Sequence, residues 1–178
     1  MPGQPSNNTI YTIGHSTHSL DEFLEMLKSF HIETIADIRS LPGSRRFQQF
    51  NKEELEISLP KNGIEYLHLA DLGGRRKVKK DSINNRWNND SFKGYADYME
   101  AEQFKSAILS LEALASKKRV AYMCSEAVWC RCHRSMVSDY LKSKDWNVVH
   151  IMGVEKSQPH RYTAPARIVD GRLLYSDT

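Results

Sequence analysis

Two apolar rhythms alternate along the chain. Short β-branched and aromatic runs read as strands: Thr9-Ile-Tyr-Thr-Ile13 stopped by Gly14, Thr34–Ile38, Ile64–Leu69, residues 119–124 and Trp146–Ile151. Between them, apolar residues recur at intervals of three or four. Phe23, Leu24, Leu27 and Phe30 mark a first helix, opened by Ser19 and Glu22 as a capping box. Asn51 and Glu54 repeat that pattern for a short helix through Leu59, ended by Pro60 and Gly63. Tyr95, Met99, Phe104, Ile108, Leu111, Leu114 and Ala115 predict one helix over 95–117. Met136, Val137, Tyr140 and Leu141 predict another at about 134–143. Residues 1–8 are rich in Pro, Gly, Asn and Ser and are expected to be a flexible N-terminus. Ala70 to Lys93 is polar and Gly- or Asn-punctuated, hence a long excursion of the functional or mobile kind. Arg167–Tyr175 is two apolar runs around Asp170-Gly171, a hairpin signal.

The β-α alternation predicts a single α/β domain over 9–178. Its core is a mainly parallel sheet of about five strands with helices on both faces, followed by the C-terminal β-hairpin. That topology has a consequence for the polar residues. Gly14-His15-Ser16, Asp37 with Arg39, His68 with Asp71-Leu-Gly73-Gly74, and Cys124 with Glu126 all follow the C-terminal end of a strand. In a parallel sheet these ends share one edge, where ligands bind.

Candidate chemistry concentrates at 121–135, Ala-Tyr-Met-Cys-Ser-Glu-Ala-Val-Trp-Cys-Arg-Cys-His-Arg-Ser, which holds all three cysteines. Cys124 reads either as a small buried apolar residue or as a nucleophile whose thiolate is favoured by nearby arginines or a helix N-terminus. His133 and His15 are acid/base candidates, and Glu126 a group that orients a histidine. Arg39 and Arg134 are suited to clamp a phosphate or carboxylate, helped by the free N–H groups expected where a helix opens near Cys132. Asp37 and Arg39, two apart on a strand, equally suit a structural ion pair. Ser16, Asp37, Arg45, Gly73, Gly74 and Cys132 complete the expected anion-binding set. Cys124 and Cys132 also suit a redox pair. The spacing C-x5-C-x-C-H lacks the two separated ligand pairs of structural zinc, and no metal or cofactor is expected. A cysteine-phosphatase loop needs Arg six positions after its Cys; the first Arg after Cys124 is Arg131, one too far.

Composition narrows the class without naming a reaction. The 178 residues are 40% hydrophobic and 26% charged, ordinary for a globular protein. No apolar run approaches the roughly 20 residues of a membrane helix, and the N-terminus does not read as a signal peptide. A cytoplasmic protein without membrane contact is the expectation. The net charge of +3 is mild, but Arg45-Arg46 and Arg75-Arg76-Lys77 with Lys79-Lys80 are compact basic clusters, either solvated or a phosphate-facing rim.

The chain resembles the family called domain of unknown function 488. The likeness rests on Thr12-Ile-Gly-His-Ser-Thr17, Asp37-Ile-Arg-Ser40 with Pro42 and Ser44-Arg-Arg46, Gln49-Phe-Asn51, Leu72-Gly-Gly74, Phe92-Lys-Gly-Tyr-Ala-Asp-Tyr-Met99, and Met123-Cys-x-Glu126 with Cys132-His-Arg134. The resemblance implies an α/β domain and singles out Cys124, Glu126, Cys132, His133 and Arg134 without giving them roles; Cys130 is outside the pattern. The leading expectation is an enzyme acting on a phosphate-bearing ligand, nucleotide or nucleic acid, at the sheet edge. The alternatives are a nucleic-acid-binding module using the basic loops with Trp87, Phe47 and Phe50 as stacking surfaces, and a thiol redox sensor using Cys124 and Cys132. Oligomeric state is not legible from the chain.

Overall fold

The computed structural model describes residues 8–178; the expected flexible stretch 1–8 lies outside them except for Asn8. Five parallel strands form where the apolar runs predict: β1 (Thr9–Gly14), β2 (Thr34–Asp37), β3 (Glu65–His68), β4 (Val120–Cys124) and β5 (Asn147–Gly153). A sixth, β6 (Lys156–Pro159), pairs antiparallel with β5 and makes the sheet order β3-β2-β4-β1-β5-β6. The sequence pattern misses β6 because Lys-Ser-Gln-Pro is an edge strand. It has no apolar face to bury, and a proline is tolerated there. The Asp170-Gly171 hairpin forms as expected: β7 (Arg167–Val169) and β8 (Arg172–Leu174) form a separate two-stranded sheet, with both turn residues at positive φ.

Helices α1 (Leu20–Ser29) and α2 (Lys52–Lys61) pack on one face, with Phe23, Leu27, Leu55 and Leu59 against Ile13, Ile35 and Met123. Helices α3 (Asp90–Tyr98), α4 (Glu102–Ala115) and α5 (Arg134–Ser143) cover the other, where Tyr95, Phe104, Ile108, Met136 and Leu141 meet Ile10, Ala36 and Tyr122. The chain steps β1→β2→β3 over the first face and β3→β4→β5 over the second, the arrangement that right-handed crossovers require. Strand β4 runs up the middle, alternating Val120 and Tyr122 to one face with Ala121 and Met123 to the other.

Three local expectations need correction. Ser19 does cap α1, its Oγ accepting from the Glu22 amide at 3.1 Å. Asn51 sits at the cap of α2, but its Oδ1 accepts instead from Ser44 N at 2.6 Å, so it ties down the preceding loop, and α2 continues past Leu59 to Lys61. The predicted single helix over 95–117 is two, beginning at Asp90 and broken between Tyr98 and Glu102. The gap of five from Met99 to Phe104 is the missed signal, since no helix face repeats at that interval. Helix α3 is also an anchor. The Asp97 carboxylate accepts from Lys79 N, Ser82 Oγ and Asn84 Nδ2 at 2.6–2.8 Å, and so holds the excursion after β3 in place.

Candidate dithiol site at the sheet edge

The register delivers the site. Gly14 lies opposite Cys124, and Asp37 opposite both Met123 and His68, so four strands end at one level and their loops meet above it. The β1 loop runs along the cysteine loop: His15 N donates to Cys124 O at 3.0 Å and Ser16 N to Ser125 O at 2.9 Å. Gly14 permits this approach, because a Cβ there would stand 1.7 Å from Glu126 O. The result is a cleft of about 580 Å³. Of the expected residues, its lining includes His15, Arg39, Gly74, Cys124, Glu126, Cys132 and His133.

Two free cysteines face each other there. Cys124 Sγ, on a residue only 2% exposed, lies 3.0 Å from Cys132 Sγ. Burial pushes the Cys124 thiol up, but the Cys132 S–H, the Arg134 charge and a backbone hydrogen bond of Glu126 outweigh it and bring Cys124 down to about 7. Cys132 moves the opposite way, well above its ordinary value, because its proton is held by the Cys124 sulfur and by burial. One thiolate and one thiol donor follow, the asymmetry a reactive pair needs.

Both histidines are neutral, each lowered to about 4, mainly by burial. Their tautomers follow from their partners. His15 donates from Nδ1 to Ser16 O at 2.9 Å and accepts from Arg39 Nη1 at Nε2, 3.2 Å, with its ring stacked 4.4 Å from Phe50. Both its nitrogens are engaged. His133 donates from Nε2 to Ile38 O at 3.0 Å, which leaves Nδ1 as an acceptor beside Gly74. The Glu126 carboxylate bonds to neither ring among the described residues. Its backbone oxygen is the group that enters the site, 3.7 Å from Cys124 Sγ and 3.0 Å from Arg134 Nη2.

The other candidates take different places. Asp37 is fully buried and receives Arg39 through Nε (2.9 Å) and Nη2 (2.8 Å), plus the Tyr66 hydroxyl at 2.6 Å. This is a structural ion pair that sets Arg39 in the cleft wall, and Phe50 O takes another Arg39 bond at 2.7 Å. Arg134 is 1% exposed and is not among the cleft-lining residues; its Nη1 donates to Thr12 Oγ1 and its Nη2 to Glu126 O and Ala127 O. Gly73 is buried against Ser40, Ser16 has φ 49°, and Arg45 is exposed outside the lining. The amides where α5 opens are not free: Arg134 N donates to Cys132 Sγ, Ser135 N to Cys132 O and Met136 N to His133 O. Among the stacking aromatics, Phe50 is core and Trp87 packs between Phe92 and Tyr175; only Phe47 lines the cleft.

Arg75 of the expected basic rim is in the lining; sequence reasoning missed Arg131 and Tyr95 there, and the buried polar set Thr12, His150, His160 and Asp139 behind it. A histidine within the apolar β5 run and a carboxylate between Met136 and Tyr140 were the available signals. Among the described residues no three His, Cys, Asp or Glu side chains are grouped to hold a metal ion. Nor is any helix long and apolar enough to cross a membrane.

A wound α/β sheet with a paired-cysteine cleft at its carboxyl edge defines the class. Residues 19–141 match the model of the Domain of unknown function DUF488 family, and the chain belongs to that family. The matched span holds the whole cysteine loop and Arg39, while the 12–17 motif and the strands after α5 lie outside it. No curated protein and no solved structure matches the chain.

Proposed function

We propose that the protein is a thiol-dependent enzyme in which the Cys124 thiolate attacks an electrophilic centre of an anionic, phosphate-class substrate held in the cleft, and the substrate's leaving group departs with the electron pair of the bond that breaks. The contact of Cys124 with Cys132 carries this reading: a buried thiolate with a built-in donor is an activated nucleophile. Arg75 and Arg131, exposed in the lining, supply the positive charge for the anion, and Arg39, already paired with Asp37, adds a donor edge at Nη1. His133 Nδ1 is the ring nitrogen available to take a proton from an incoming group. Glu126 adds one negative charge to the wall, which favours a substrate with its anion toward the arginines and its reacting atom toward the sulfur.

The test uses iodoacetamide with inorganic phosphate as competitor, read by mass spectrometry of each cysteine peptide. Cys124 is expected to be alkylated faster at pH 7 than exposed Cys130, and phosphate to slow Cys124 alone. Faster labelling of Cys130, with Cys124 indifferent to phosphate, refutes the proposal.

The same sulfur contact favours a second reading, a thiol switch. Hydrogen peroxide would oxidise both thiols to a Cys124–Cys132 disulfide, the two thiol hydrogens leaving in two waters. Loss of two hydrogens from the intact protein under mild peroxide, absent in Cys132→Ala, supports that reading. A nucleic-acid module is less well supported, because two of its three stacking rings are packed away.

A further inference from the structure

Behind the cysteine loop lies a polar chain that the cleft does not use. Asp139, His160, His150 and Thr12 are all buried, and they connect in series. His160 Nε2 stands 2.8 Å from Asp139 Oδ1, His150 Nε2 2.9 Å from His160 Nδ1, and Thr12 Oγ1 2.6 Å from His150 Nδ1. Arg134 Nη1 donates to Thr12 Oγ1 at 3.2 Å. The far end is anchored by Tyr175 OH at 2.7 Å and Thr163 OH at 2.5 Å, both donating to Asp139 Oδ2. Trp129 lies flat on His150, centroids 4.5 Å apart at 4°, and closes the chain from above.

The proton positions follow from counting donors. If Arg134 donates to Thr12, Thr12 to His150, His150 to His160 and His160 to Asp139, every N–H and O–H in the series has an acceptor. An imidazolium at His160 would reverse His150, and the Thr12 hydroxyl proton would lose its acceptor. That count runs the series one way, from Arg134 to Asp139. Burial holds the His150 ring neutral.

The chain separates two buried charges. Arg134 bonds only to a hydroxyl and to backbone carbonyls, no carboxylate lies within ion-pair reach of it among the described residues, and its Nε has no acceptor. A buried guanidinium without a counterion is costly. Cys132, Arg134 and Glu126 act on Cys124, and Arg134 is the cation among these three. The Glu126 carbonyl oxygen lies 3.7 Å from Cys124 Sγ and accepts from Arg134 Nη2 at 3.0 Å, which sets the two side by side.

We propose that Thr12, His150, His160 and Asp139 are positioning residues for Arg134: they hold its guanidinium beside Cys124 while keeping the buried carboxylate too far away to pair with it. The charge then serves the thiolate. This inference rests on the reading of Cys124 as a reactive thiolate.

Thiolate absorbance at 240 nm, titrated on the reduced Cys130→Ser protein with Cys124→Ser added as blank, tests it. Thr12→Val keeps the shape and removes the hydroxyl. The Cys124 midpoint is expected to rise by about one unit, a roughly fivefold loss of thiolate at pH 7. Thr12→Ser should restore it. Leu59→Ala, a destabilising change in the other core, should leave it unmoved. Should Thr12→Val fail to fold, His150→Phe keeps the ring on Trp129 without its nitrogens and gives the same readout. An unshifted midpoint in whichever variant folds overturns the chain's role. A parent protein without a thiolate near neutrality overturns the underlying reading instead.

Discussion

Removing the Cys132 sulfur is the sharpest perturbation of the site. Its S–H is the largest of the influences that lower the Cys124 thiol, offsetting burial, and the two sulfurs are 3.0 Å apart. Hydrogen bonds to charged groups are worth about 1.5–3 kcal/mol, and S–H is a weak donor, so the lower end applies. At about 1.4 kcal/mol per unit, Cys132→Ala lifts Cys124 from about 7 by roughly one unit, two at most. At pH 7 the thiolate fraction then falls from about one half to between roughly 10 and 1%. A more basic thiolate is intrinsically the better nucleophile, by about threefold per unit, so alkylation at pH 7 slows only about two- to sixfold. Well above both midpoints the order inverts, and the variant reacts about three- to eightfold faster. Cys132→Ser, whose hydroxyl still donates, should recover much of the wild-type midpoint. The assay is the pH dependence of Cys124 alkylation from pH 5 to 10. A Cys132→Ala midpoint coincident with wild type, or a serine variant displaced as far as the alanine one, refutes the reasoning.

Two further outcomes follow from the same geometry. Burial depresses His15 and His133 from 6.5 to about 4, and His150 further, so the native state refuses protons that the unfolded chain accepts. Their contribution is whole above pH 6.5 and is lost as pH falls toward 4, about 3 kcal/mol each for His15 and His133. Urea unfolding at pH 7, 6 and 5 should show this slope, with His133→Gln flattening it by about one proton; a flat profile contradicts the assignment. Gly14→Ala places a Cβ 1.7 Å from Glu126 O, so the cysteine loop must shift. A loss of about 1–3 kcal/mol and a slower Cys124 are expected, and unchanged melting and labelling would show that the loop is not packed as described.

What was legible in the chain was whatever repeats or punctuates. The five parallel strands are apolar runs, and the Asp170-Gly171 turn is a residue pair with few other uses. Their order alone placed His15, Arg39 and Cys124 at one edge, because parallel topology forces strand ends together. Strand β6 was silent because its residues bury no face. The break between α3 and α4 was visible only as one irregular interval. The site was harder where a residue type does two jobs. Arginine beside a cysteine motif reads as an anion clamp, yet Arg134 points inward, and only the pairing of β1 with β5, which puts Thr12 opposite His150, reveals why. Asp139, 21 residues from its histidine partner, cannot be linked to it by spacing at all.

The distribution of charge argues for the order of events in the cleft. Arg39 is balanced at once by Asp37, with two contacts under 3 Å, so its charge adds little to the net field over the sulfur. Among the described residues Arg134 has no carboxylate partner, and on the proposed reading the Cys124 thiolate is the anion that answers it. On the proposed reading, a substrate anion entering the cleft meets a centre already neutralised at depth, with exposed positive charge at Arg75 and Arg131. Binding at that rim keeps the anion away from the thiolate, whose repulsion at close range would be about 4 kcal/mol at 4 Å in a surface-like dielectric. An arrangement with Arg134 open to the cleft would bind anions more tightly, but it would take the counterion from Cys124 and raise its pKa. On the proposed reading, burying that arginine keeps substrate binding and thiol activation from competing for one charge.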